Sequence, residues 1–70
     1  MEREFRQILT EYLRESGLTQ SEFARRMGAK PYLVNDWLRG KAKPGYDALK
    51  TMVKTLGVSA EYLLGLSDEY

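Results

Sequence analysis

The 70-residue sequence predicts an all-α fold of five short helices in one domain. Three observations carry it. Apolar residues recur at i, i+3, i+4 and i+7 in successive windows, and none of these windows alternates as a half-buried strand would. Glycines stand just past those windows at Gly17, Gly28, Gly40, Gly57 and Gly65, where a helix end commonly needs a left-handed residue. Cap residues or a proline open the second, third and fifth windows, at Thr19, Pro31 and Ser59.

The first helix is expected over about Glu2–Ser16. Phe5, Ile8, Leu9, Tyr12 and Leu13 paint one apolar stripe, and nothing in this helix has the look of a site. The second is set by Thr19-Gln20-Ser21-Glu22, a capping box in which the Thr19 hydroxyl and the Glu22 carboxylate each satisfy the other's backbone N–H. Leu18 and Phe23 suit a hydrophobic staple across that start. Phe23, Ala24 and Met27 face inward, Ala24 being small where helices approach closely. The third helix, about Pro31–Arg39, opens on a proline whose missing N–H is not needed in the first turn. Val34, Trp37 and Leu38 form its inner face, and Trp37 at this spacing is core in preference to a stacking platform. Two short helices joined by so tight a turn make a helix-turn-helix.

The fourth helix is expected over about Tyr46–Leu56, with Leu49, Met52, Val53 and Leu56 inward. The fifth runs from the Ser59 cap to Gly65, with Val58 and Leu63 as its staple. Leu64, Leu66 and Tyr70 are left without an evident internal partner.

Charge is unevenly spread. Residues 1–24 hold three basic and five acidic side chains. Residues 44–70 hold two and four. Between them Arg25, Arg26, Lys30, Arg39, Lys41 and Lys43 face Asp36 alone, a local net of +5 in a chain of net +1. A basic segment between acidic flanks is the footprint of a polyanion-binding face.

Other chemistries have little to work with. The chain has no cysteine and no histidine, so neither a disulfide nor a zinc site is expected. It has no phosphate-cradling glycine loop and no paired carboxylates at a useful spacing, so an enzyme is not expected, nor a cofactor or small-molecule ligand. No apolar run reaches membrane-spanning length, and MEREFRQ is too charged for a signal peptide. A cytoplasmic protein is the expectation.

From Thr19 to Pro44 the chain resembles the Cro/cI-type (xenobiotic response element) helix-turn-helix regulators. The matching residues are Thr19, Gln20, Glu22, Ala24, Gly28, Val34, Trp37, Gly40 and Pro44. The runs Leu56-Gly57-Val58-Ser59 and Leu63-Leu64-Gly65 match the family's ending. The resemblance implies a compact five-helix bundle of the lambda-repressor-like DNA-binding type. It also implies a small repressor of prokaryotic or phage kind, bound to double-stranded DNA as a homodimer paired through Leu64, Leu66 and Tyr70.

In that frame the third helix enters the major groove. The base-reading candidates are Lys30, Pro31, Tyr32, Asn35 and Asp36: Asn35 toward adenine, Asp36 toward a cytosine amino group, Tyr32 toward a phosphate or a thymine methyl. Gln20 and Ser21 at the start of the second helix, with Arg39, Lys41 and Lys43, are the phosphate contacts.

Three departures from the family pattern matter. Lys30 stands where a small hydroxyl cap is usual, and an ammonium accepts no hydrogen bond. Pro31 and Asp36 are poor donors at reading positions. Leu13 and Leu38 replace an arginine–glutamate pair the family commonly carries, an exchange that is often neutral or stabilising when the residues pack together. Because Pro31, Tyr32, Leu33 and Asp36 make the outer face more apolar, an antitoxin-like or regulatory protein-interaction module is the alternative.

Overall fold

The computed structural model describes residues 4–67. Its elements are α1 (Phe5–Ser16), α2 (Gln20–Met27), α3 (Pro31–Leu38), α4 (Tyr46–Leu56) and α5 (Ala60–Leu63), with no strand among the described residues. α1 begins at Phe5, where the apolar stripe begins and later than the expected Glu2, with Glu4 as N-cap and its backbone N–H donating to Gln7 Oε1 at 3.1 Å. α3 stops at Leu38, and Arg39 is its C-cap. α5 is shorter than expected, because the chain leaves the helix at Leu64 and turns through Gly65.

Apolar spacing becomes core as expected. Ile8 and Leu9 of α1, Phe23 of α2, Val34 of α3, Met52 of α4 and Leu63 of α5 are wholly buried, each burial contributing about 1.5–3 kcal/mol. α2 packs on α3 and α4, and α1 on α3 and α5. Leu13 is buried, and half-buried Leu38 packs against the same cluster, so both replacements of the charged pair enter the core. Tyr62, also buried, is a core residue that periodicity did not single out. Tyr12 lies at the edge and donates its hydroxyl to the Leu56 carbonyl at 3.2 Å, tying α1 to the end of α4. No polar or charged side chain is buried among the described residues.

Candidate nucleic-acid interface

α2 is fixed at both ends. Thr19 Oγ1 accepts from the Glu22 N–H at 3.1 Å, and Glu22 Oε1 accepts from the Thr19 N–H at 3.0 Å. Hydrogen bonding to the carboxylate, from the Thr19 backbone first and the Thr19 side chain second, holds the Glu22 carboxyl below its ordinary value of 4.5, with Arg25 and Arg26 assisting. At the other end Gly28 takes φ +67°, its N–H donating to the Arg25 carbonyl, while Ala29 N–H reaches back to Ala24. This is the paired-bond helix stop that a residue with a side chain enters only under strain. The turn then delivers the chain to Lys30 within two residues.

α3 opens differently. Lys30 is its N-cap and makes no side-chain cap bond. The helix is held instead by Pro31 at its first position and by Val34 and Trp37 on its buried face. At its exit the Asp36 carbonyl accepts from both Lys41 N–H (2.9 Å) and Ala42 N–H (3.3 Å), and Gly40 N–H donates to Trp37. The basic loop is therefore pinned by its backbone to the end of α3, with Lys41 and Lys43 exposed and Ala42 packed against the core.

The candidate base-reading residues divide by exposure. Lys30, Pro31 and Tyr32 are exposed, Tyr32 at 60%. Asn35 and Asp36 are half-buried. Leu33 is half-buried against the core and so adds less to the outer surface than its position suggested. Of the phosphate candidates, Ser21, Arg39, Lys41 and Lys43 are exposed and Gln20 is half-buried at the first position of α2. Lys30 to Tyr32 and Arg39 to Lys43 thus lie at the two ends of one helix. Lys43 also lines a recess with Arg6 of α1. Arg6 was missed because its neighbour Gly40 is remote in sequence and no local pattern marks the contact. Leu64 and Leu66 are exposed, at 52% and 59%, while Tyr70 lies outside the described residues.

Comparison with known proteins bears on this arrangement. A helix-turn-helix family model matches residues 9–63. A putative multi-protein-binding factor 1 of Yarrowia lipolytica is 43% identical over 44 residues, 63% of this chain and 29% of that protein. The multiprotein-bridging factor 1 of Eremothecium gossypii is 39% identical over 44 residues, with the same shares. The chain thus spans under a third of the length of these curated relatives. A transcriptional regulator from Listeria innocua has the same fold, with a TM-score of 0.83 at 21% identity over the whole of this chain and 65% of its own. With most of its length matched by the family model and its two central helices built as the motif requires, the chain belongs to the Cro/cI-type helix-turn-helix family, a non-enzymatic class.

Proposed function

We propose that the protein is a small transcriptional regulator that binds double-stranded DNA sequence-specifically, placing residues 31–39 in the major groove and acting as a repressor. The observation that carries this is the pairing of an exposed first turn of α3 with an exposed basic loop tied to the same helix's exit. Reading and backbone contacts then move as one body. Lys30, Pro31, Tyr32, Asn35 and Asp36 face base edges, with Asn35 the best suited to adenine. Gln20, Ser21, Arg39, Lys41 and Lys43 face phosphates. The exposed Leu64 and Leu66 form the seam of a homodimer on DNA, whose half-sites would lie about 34 Å apart.

The test is selection of bound sequences from a random duplex pool at two salt concentrations. A palindromic motif whose recovery falls steeply with salt is the expected result. Recovery without a motif would reduce the role to backbone binding. Lys41→Ala should weaken all sequences alike, whereas Asn35→Ala should change the preferred sequence. Equal loss on specific and random duplexes would remove Asn35 from the reading set.

A second reading keeps the fold and gives this face a protein partner. The names of the two fungal relatives favour it, as does the exposed ring of Tyr32 beside Pro31. No duplex recovered even at low salt would select it.

A further inference from the structure

Beside the basic loop, and sharing Lys43 with the proposed phosphate contacts, a recess of about 310 Å³ opens between the start of α1, the exit of α3 and the end of α5. Its apolar lining comes from Phe5, Trp37, Ala42 and Leu64. Its charged lining is Glu4, Arg6 and Lys43. The Arg6 stem lies across Gly40, where a Cβ would come within 2.7 Å of Arg6 Cδ, so the missing side chain is what lets the arginine lie there. Arg6 Nε donates to Glu4 Oε2 at 2.9 Å, with about half the arginine side chain in solvent. Arg6, paired with Glu4, and Lys43 thus share the lining with the apolar residues.

We propose that this recess docks an acidic, apolar segment of a partner protein. A large apolar side chain of the segment rests on Phe5, Trp37 and Leu64, and its carboxylates engage Arg6 and Lys43. The volume sits at the bottom of the range for small-molecule sites, about 300–1,000 Å³, and suits one or two side chains. A phosphate backbone would use the cations and waste the apolar lining. A second copy placed two-fold about the recess would set Arg6 and Lys43 against their own counterparts. An acidic, apolar chain matches both the lining and the charge. Glu4 holds Arg6 in the free protein, and an incoming carboxylate takes its place. Leu64 belongs both to this recess and to the proposed dimer seam, so partner and second copy compete there.

The experiment titrates the full chain, without DNA, with a short synthetic peptide in which Asp and Glu alternate with Leu and Phe. Binding is followed by Trp37 fluorescence and by amide chemical shifts, so its outcome does not depend on whether a duplex binds. A saturable change confined to Phe5, Trp37, Ala42, Lys43 and Leu64 is expected. Arg6→Glu and Leu64→Asp, both at exposed side chains and checked by thermal melting, should each weaken it about tenfold. Glu4→Gln should tighten it about two- to fivefold, since it removes the competing carboxylate. Four outcomes overturn the proposal. One is no saturable change, and a second is equal binding of a peptide with Lys in place of Asp and Glu. Another is the same residues shifting with duplex DNA and not with peptide. The last is the same shifts appearing on raising protein concentration alone, which would assign the recess to a second copy.

Discussion

α2 and α3 are both eight residues long, pack on each other and yet are held by different means. α2 carries its own instructions: a reciprocal capping box at its start, acidic charge in its first turn, basic charge in its last and a glycine stop. α3 has no side-chain cap, no acidic residue in its first turn and no basic residue in its last. It is held by proline geometry, by two buried side chains and by the loop that folds back on Asp36. The difference follows from what each must expose. α2 uses the residues around its start for capping. α3 leaves Lys30, Pro31 and Tyr32 exposed and without a side-chain cap bond.

The largest effect should come from removing the packing that holds α3. Trp37→Ala should cost about 3–5 kcal/mol, enough to unfold a marginal domain of this size, and urea denaturation with circular dichroism would measure it. A small loss would mean that α3 has local support not evident in its caps. Next is the capping box. Thr19→Ala should cost about 1 kcal/mol and lower Tm by about 4–8 °C, whereas Lys30→Ala at the matching place of α3 should stay within about 0.5 kcal/mol. Equal losses would erase the contrast. Lys30→Ser should gain somewhat under 1 kcal/mol by supplying α3 with the acceptor it lacks, and a Tm no higher than that of the parent would show the first turn already satisfied.

The smallest effect is pH-dependent. Because Glu22 is held below 4.5 in the folded protein, its ionised form stabilises α2 above about that pH. The contribution fades as pH falls through the lower folded value. Glu22→Gln should therefore melt below the parent near neutral pH, and the gap should close as pH is taken well below 4.5. A gap that stays constant with pH would assign the effect to hydrogen-bond geometry and not to charge.

Most of the fold is legible in the chain because the signals are local. Thr19 with Glu22, Gly28 and the apolar spacing of α4 each act within a few residues, and the bounds of α4 are those the spacing predicts. The start of α1 was less legible: Phe5 begins the stripe, but whether charged residues before it extend a helix depends on capping by Glu4 and Gln7, not on periodicity. The candidate site divides in the same way. The basic run Arg39–Lys43 is visible as charge. Its attachment to Asp36 through backbone bonds, and the Arg6 side chain lying over Gly40, arise only when distant segments meet.

An interior free of charge has a practical consequence for anyone measuring this molecule. With Leu13 buried, Leu38 packed against the core and no buried ionic group among the described residues, the charges lie at the surface, where salt screens them and where each pair contributes little to stability. Ionic strength is then a usable experimental variable: across a titration with a duplex, loss of complex at higher salt counts the counterions released from neutralised phosphates, with a melt at each salt as the check that the scaffold is intact.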